Sequence, residues 1–281
     1  MNLAIRKEGL GWRILRNIIL LIGIIIIMGP IYLVIVNSFK TLEEAGKGFF
    51  SFPKALNFSN YGELLSKGNY WRVVWNTTLI TIGSVIIVLI INPTVAYAIA
   101  RNRHKKYYKF LYLYILLGLF VPFQVIMLPL TKIMTNINLL NPFGLILLYG
   151  ALSLTRGVFL LVNYIEGMPT EIEEAARIDG CSTFKIYYLI TLRLIMPMLV
   201  TLVIMDSLWF WNDFMLPLLI LNKAKEFWTL PLYQYNFKTE YSFNYTMAFT
   251  SYLMAMLPII VIYAAGQKYI IAGLTEGAIK G

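Results

Sequence analysis

Long uncharged stretches constrain the fold of this 281-residue chain more than any other feature of its sequence. A helix that crosses a bilayer needs roughly 20 predominantly apolar residues. Six segments satisfy that requirement, and they predict an all-α integral membrane protein that forms a single transmembrane domain over residues 1–281. The predicted membrane spans are residues 17–39, 73–100, 110–131, 143–165, 194–221 and about 246–268.

Composition and charge exclude several classes of protein. Hydrophobic residues make up 59% of the chain and charged residues only 14%, against about 25% charged in an ordinary soluble domain. This excludes a soluble enzyme and a disordered chain. The net charge of +10 comes from clusters between the apolar segments, so nucleic acid is not an expected partner. A single cysteine, Cys181, and a single histidine, His104, predict neither a disulfide nor a metal site.

The distribution of Lys and Arg predicts the orientation in the membrane, because short basic loops stay in the cytoplasm. The loop between the second and third spans is strongly basic, whereas the next loop has only Lys132. With six spans, both termini are then cytoplasmic. The first apolar run is too long for a cleaved signal peptide and predicts a retained helix. Residues 41–72 are too polar to cross and predict an external loop with short helical pieces. The basic residues of the second loop are Arg101, Arg103, Lys105, Lys106 and Lys109.

The loop between the fourth and fifth spans, residues 166–193, predicts a short capped helix. Thr170 and Glu173 have the spacing of a capping box. Gly180 suits the left-handed conformation that ends a helix, and the predicted helix is about nine residues long. A second helix is expected near Ser182. A well-capped amphipathic connector lying on the membrane accounts for this pattern without any further role.

Several motifs in the sequence resemble one family of transport proteins. Glu174, Ala175 and Ala176, followed by Gly180 and Ile190, resemble the EAA loop of permease subunits in binding-protein-dependent ABC importers. Other segments are similar to the carbohydrate branch of that family, and in particular to the maltose-type second permease subunit. Arg193 stands where the family usually has proline. The segments similar to that branch are residues 37–40, 96–101, 211–214, 267–274 and 277–281.

The resemblance implies the six-helix fold of type I ABC importer permeases and a coupling role for the loop. The short helix of this loop would dock on a cytoplasmic ATPase, and its movement would drive alternating access. Glu174 would make the polar contact, Ala175 and Ala176 the close packing, and Gly180 the sharp turn, with Asp179 in the same motif. The C-terminal tail, residues 277–281, would reach into the ATPase interface.

The resemblance also implies the partners. They are a homologous second permease subunit, two ATPase subunits, an extracytoplasmic sugar-binding protein and the lipid of a bacterial or archaeal cytoplasmic (inner) membrane. The sequence has no G-x-x-x-x-G-K-[ST] motif. The chain is therefore expected to be no enzyme and to bind no cofactor, with ATP and Mg²⁺ held by the ATPase partner.

Charged, amide and aromatic residues inside the spans are candidates for the translocation pathway, because a charge in lipid usually faces a cavity or a protein partner. The candidates are Arg156, Asp206, Trp209, Asn212 and Asp213. Helical spacing places Trp209 and Asp213 on one face with Asp206. A second explanation remains open: the Trp and Asn residues near Asp213 would then belong to the external interface belt, and Asp206 would pair with a helix of a second subunit. Arg156 has three possible partners, which are Asp206, Glu166 and the other permease chain.

Three other functions remain as alternatives. An ABC permease for a non-sugar solute would share the coupling loop. An ion-driven secondary transporter would need acidic relays or inverted repeats, and the sequence offers only Asp206 and no evident repeat. A membrane anchor without a pore would need no coupling loop.

Overall fold

The computed structural model of the chain describes residues 10–66, 69–235, 237 and 244–278. These residues are almost entirely helical and contain no β-strand, which confirms the predicted all-α class. The α-helices are α1 (Leu10–Ser38), α2 (Leu42–Lys47), α3 (Ser59–Ser66), α4 (Asn69–Asn102), α5 (Lys106–Leu117), α6 (Phe123–Asn136), α7 (Pro142–Glu166), α8 (Glu171–Ile178), α9 (Thr183–Ile186), α10 (Leu192–Leu194), α11 (Met196–Asn212), α12 (Met215–Leu221), α13 (Leu230–Tyr235) and α14 (Tyr245–Ala278).

The helices provide up to six membrane crossings by length and composition. Four are long and apolar enough to cross alone, namely α1, α4, α7 and the first part of α14. Two further crossings arise if each bent helix pair counts as one span, and the pairs are Lys106–Phe120 with Phe123–Asn136 and Thr183–Leu194 with Met196–Asn212. If each bent pair is counted as one span, the six crossings agree with the six spans predicted from the sequence.

The third predicted span is divided between two helices that meet at an angle of 107°. Pro122 stands at the start of α6, and the residue before it, Val121, is extended. A residue that precedes proline is driven out of the helical region by a steric clash with the proline ring. The apolar stretch 110–131 therefore continues in a new direction after this proline.

The fifth predicted span, residues 194–221, is also interrupted. The chain turns by 71° at Ile195 between α10 and α11, and Pro197 lies in the first turn of α11, where a missing N–H group costs nothing. The helix then ends at Asn212, and Asp213 is extended before α12 begins.

The chain divides into two compact units. The first comprises residues 1–67 and 237–256 and is organised around Lys40, whose side chain is fully buried. The Lys40 Nζ donates to the carbonyl oxygens of Gly48 at 2.7 Å and Phe49 at 3.3 Å. Burial lowers the pKa of the Lys40 ammonium, and the nearby Glu44 carboxylate opposes that shift. This lysine holds the end of α1 against the loop that follows α2. The short helical pieces predicted for residues 41–72 are present as α2 and α3, and the external location of this segment stays a prediction.

The second unit comprises residues 68–236 and 257–281, and close packing of α4 against α7 forms its centre. Two glycines of α7 allow this approach. A Cβ at Gly150 would lie 2.4 Å from the Ile87 side chain, and one at Gly157 would lie 2.1 Å from the Asn92 amide nitrogen. Small residues at such positions let membrane helices approach closely.

Some predictions fall partly outside the described residues. Residues 1–9 lie outside them, as do residues 279–281 of the tail that was expected to reach an ATPase. The single-domain organisation and the exact limits of the spans stay predictions.

Candidate functional site

The predicted short helix in the loop between α7 and α11 is present as α8, which has eight residues. The predicted capping box is wrong. Thr170 has helical backbone angles and its side chain accepts no hydrogen bond from the helix. The Glu173 carboxylate is buried and turned toward other helices, where it finds stronger donors than a single backbone N–H group.

The carboxylate of Glu173 accepts four hydrogen bonds from three side chains. Arg101 donates through Nε at 3.0 Å and Nη2 at 2.8 Å to Oε1. The Thr191 hydroxyl donates to the same oxygen at 3.1 Å, and the Tyr97 hydroxyl donates to Oε2 at 3.2 Å. Arg101 also donates through Nη1 to the carbonyl oxygen of Ile165 at 3.1 Å. The helix α8 is thereby attached to the ends of α4 and α7.

Gly180 ends α8 as the sequence predicts, with a φ of +79°. The Gly180 N–H donates to the Arg177 carbonyl at 3.0 Å, and the Cys181 N–H donates to the Ala176 carbonyl at 2.9 Å. This pair of bonds is the Schellman motif, whose left-handed residue is usually glycine. The chain reverses here, and Ser182 caps the predicted second helix, α9, through the Lys185 N–H.

A π-helical segment, Tyr187–Thr191, connects α9 to α10. The Tyr187 hydroxyl lies 2.9 Å from the Thr94 hydroxyl of α4, and its ring lies 5.1 Å from that of Tyr97. The loop is thus held on α4 at two levels, through Glu173 and through Tyr187.

The opposite face of the loop is exposed and partly apolar. On α8, Glu174 and Ala175 are exposed, and Ile178 is 87% exposed. Beside it, Phe184 is 69% exposed and its ring lies 4.6 Å from that of Tyr188. Asp179 is exposed as well, whereas Ala176 is buried against this chain. Large exposed apolar side chains near charged ones are typical of a protein-binding site. We call this face, formed by Glu174, Ala175, Ile178, Asp179, Phe184 and Tyr188, the α8 face.

The second candidate site lies deeper in the spans and contains an ion pair between Arg156 of α7 and Asp206 of α11. The structure thus selects Asp206 among the three partners considered for Arg156. Asp206 is fully buried, while the Arg156 side chain is one-third exposed and lies 5.4 Å from the centre of the Trp209 ring. Glu166 pairs instead with Arg103 at 2.5 Å.

A cavity of about 660 Å³ opens beside this pair. Its volume is in the range of small-molecule sites, roughly 300–1,000 Å³. The walls are largely apolar, with Thr155, Arg156, Trp209 and Asp213 among the lining residues. An aromatic ring next to polar groups suits a sugar, because sugars offer C–H faces to rings and hydroxyls to charged groups.

The predicted face that joins Asp206, Trp209 and Asp213 is wrong in part. Asp213 lies beyond the end of α11, and its carboxylate accepts from the Met215 N–H at 3.1 Å and the Tyr149 hydroxyl at 3.0 Å. It therefore caps α12 while it also lines the cavity. Asp206 is buried behind Arg156, and the Asn212 amide donates to the Leu208 carbonyl within its own helix at 2.8 Å.

Sequence reasoning missed the residues that hold the loop between α7 and α11 in place. Arg101 was counted among the five basic loop residues, and it lies with Tyr97 in the segment 96–101 that is similar to the carbohydrate branch. Neither of them was given a role in holding the loop, and Thr191 was given no role at all. The one available signal was the spacing of Glu173 and Ala176, which share a helix side opposite to Glu174 and Ile178. Arg101 lies 72 residues from Glu173 along the chain, so the local sequence around Glu173 gives no sign of this contact.

Comparison with known proteins defines the class of this chain. Residues 92–276 match the family model of the binding-protein-dependent transport system inner membrane component. This range includes the whole α8 loop and the cavity. The chain therefore belongs to that family of membrane permease subunits.

Individual relatives cover nearly the whole chain. The multiple sugar-binding transport system permease protein MsmG of Streptococcus mutans is 42% identical over 94% of this chain and 96% of its own length. The melibiose/raffinose/stachyose import permease protein MelC of Bacillus subtilis is 31% identical over 90% of this chain and 91% of its own. A bacterial ABC transporter involved in import of the acidic polysaccharide alginate has the same fold, with a TM-score of 0.81, 24% identity and coverage of 94% and 99%.

Proposed function

We propose that this chain is one of two permease subunits of an ATP-driven importer for a sugar or oligosaccharide, and that it works by alternating access. The single observation that carries the proposal is the α8 face, an exposed apolar and charged surface on a helix that is fixed to the membrane-spanning helices. The α8 part of this surface lies outside the apolar segments that are counted as spans, and such a surface suits a soluble protein partner. In this family that partner is a cytoplasmic ATPase.

The residues of the loop divide between two roles in this proposal. Glu174, Ala175 and Asp179 are exposed and supply the contact with the ATPase, and Gly180 supplies the turn that presents them. Ala176 is buried within this chain, so its small side chain serves the packing of α8 onto the permease rather than the contact with the ATPase.

The sugar assignment is supported by the relatives and by the cavity. MsmG and MelC, which are similar to this chain over nine-tenths of its length, are named as sugar permeases. The cavity places the Trp209 ring and the Arg156 guanidinium together, and both suit a carbohydrate. In the proposal, Arg156, Trp209 and Asp213 line part of the pathway and Asp206 holds Arg156.

The remaining components follow from the same proposal. A homologous permease supplies the other half of the pathway, two ATPase subunits bind ATP and Mg²⁺, and an extracytoplasmic binding protein delivers the sugar. Both termini and the α8 loop face the cytoplasm of the cell whose inner membrane holds the complex. The exposed apolar side of α1 is covered by lipid or by the second permease.

Uptake into proteoliposomes that hold the complete complex tests this function. We expect labelled raffinose or maltotriose to accumulate only when ATP and the binding protein are present. Labelled methionine serves as the non-sugar control. Accumulation of a sugar under an ion gradient without ATP would contradict the ATP-driven mechanism, and uptake of methionine instead of both sugars would contradict the sugar assignment.

A further inference from the structure

The helix α8 is attached to the rest of the permease by very little buried surface. Only two of its side chains, Glu173 and Ala176, are buried. A helix of eight residues is not stable by itself and depends on packing. Since Ala176 contributes a single methyl group, the polar contacts of Glu173 are the principal connection between α8 and the membrane-spanning helices.

The connection reaches three separate parts of the unit at once. The Glu173 carboxylate binds Arg101 and Tyr97 on α4, and Thr191 at the end of the π-helical segment. Arg101 extends it to the carbonyl oxygen of Ile165 near the end of α7. One carboxylate thus links α8 to α4, to α7 and to the segment that leads into α10.

Burial also makes the ion pair between Arg101 and Glu173 rigid. The side chains of Arg101 and Glu173 are 12% and 5% exposed, and Arg101 approaches Glu173 with two nitrogens. A desolvated, doubly hydrogen-bonded pair tolerates little displacement of one partner relative to the other, because separation leaves two buried charges uncompensated. The nearby pair of Arg103 and Glu166 is about one-third exposed on both sides and contains no residue of α8.

We propose that Glu173 is the positioning residue through which movement of α8 is transmitted to α4, α7 and the segment before α10. This inference rests on the proposed function, in which an ATPase moves α8. Glu174 and its exposed neighbours bind the ATPase, and Glu173 on the opposite side binds the permease. Without Glu173, the ATPase still docks and hydrolyses ATP, but α8 moves without carrying the other helices with it.

The test is the Glu173→Gln variant in the complete complex reconstituted in proteoliposomes. Glutamine keeps the size of the side chain and removes the charge that Arg101 binds. We expect the ATPase subunits to co-purify as in the wild type and ATP hydrolysis to continue. The amount of sugar transported per ATP hydrolysed should fall about tenfold, a typical size for a coupling between two sites.

The Glu166→Gln variant is the matched control, because it removes the Arg103 ion pair at the same end of α7 without touching α8. Its sugar-to-ATP ratio should equal that of the wild type. A purely structural role for Glu173 predicts instead that uptake and hydrolysis fall together, with an unchanged ratio, and that result would overturn the inference. An equal loss of ratio in Glu166→Gln would also overturn it.

Thr191→Val and Tyr97→Phe keep the inference testable if Glu173→Gln fails to fold. Each removes one hydrogen bond from the Glu173 carboxylate and leaves the ion pair in place. We expect smaller decreases in the same ratio, of about two- to threefold, the effect of roughly 0.5 kcal/mol. Unchanged ratios in both variants would contradict the inference. A wild-type complex without ATP-dependent uptake would instead contradict the proposed function itself.

Discussion

Replacing Arg156 by alanine is expected to destabilise the permease by about 3 kcal/mol, the lower end of the cost of removing one partner from a buried ion pair, because the Arg156 side chain is one-third exposed. Asp206 is fully buried inside a membrane-spanning segment, and Arg156 is the cation that faces it. Loss of the guanidinium leaves the carboxylate without its counter-charge where water is scarce. The measurement is the unfolding midpoint of the purified complex in detergent, which should fall well below that of the wild type.

The double variant Arg156→Leu with Asp206→Leu separates stability from transport. Two apolar side chains remove both charges together, and such replacements are often neutral or stabilising. We expect the double variant to regain most of the lost stability while sugar uptake stays low, because Arg156 lines the cavity. A wild-type unfolding midpoint in Arg156→Ala would contradict the importance of the pair, and full uptake by the double variant would contradict a role for Arg156 in the pathway.

The Gly180→Pro variant is expected to lose uptake by about two orders of magnitude. Proline fixes φ near −65°, whereas Gly180 has a φ of +79°. The substitution also removes the N–H group that donates to the Arg177 carbonyl. A proline that conflicts with the backbone costs roughly 3 kcal/mol or more, which corresponds to about a hundredfold change in an equilibrium. The measurement is ATP-dependent uptake by the reconstituted complex.

Two controls separate the backbone turn from the mere presence of a side chain. Asparagine tolerates the left-handed conformation, and no atom lies within 4 Å of a Cβ built on Gly180. We therefore expect Gly180→Asn to keep most of the uptake. Gly167, which also ends a helix in this loop but has an ordinary φ of −76°, should accept alanine without loss. Normal uptake by Gly180→Pro would show that the turn is unimportant for coupling.

The sequence predicts well the features that depend on local chemistry or on solvent. The helical class and the apolar segments follow from the requirement that lipid imposes on the backbone. Gly180 was predicted to end α8 in the left-handed conformation because few other residues adopt it, and the structure confirms that conformation. Ser182 is likewise found at the start of a helix.

Features that depend on distant residues were not predictable in the same way. Thr170 and Glu173 have the spacing of a capping box, but Arg101 competes for the carboxylate with a charge-assisted bond. The sequence allowed three partners for Arg156, and only the fold brings Asp206 to it. Helical spacing placed Asp213 on the face of Asp206, yet the helix ends one residue earlier and Asp213 caps the next helix.

Cross-linking of α8 to the ATPase in the complete complex tests the central claim most directly. Cys181 is first replaced by serine, and a single cysteine is then introduced either at Ala175 or at its neighbour Ala176. A short thiol-to-amine cross-linker reports contact with the ATPase subunits. Because Ala175 is exposed and Ala176 is 8% exposed, we expect Ala175→Cys to give a permease–ATPase product and Ala176→Cys to give none. Absence of a product at Ala175, in a complex that retains its ATPase subunits, would contradict the assignment of the α8 face as the coupling surface.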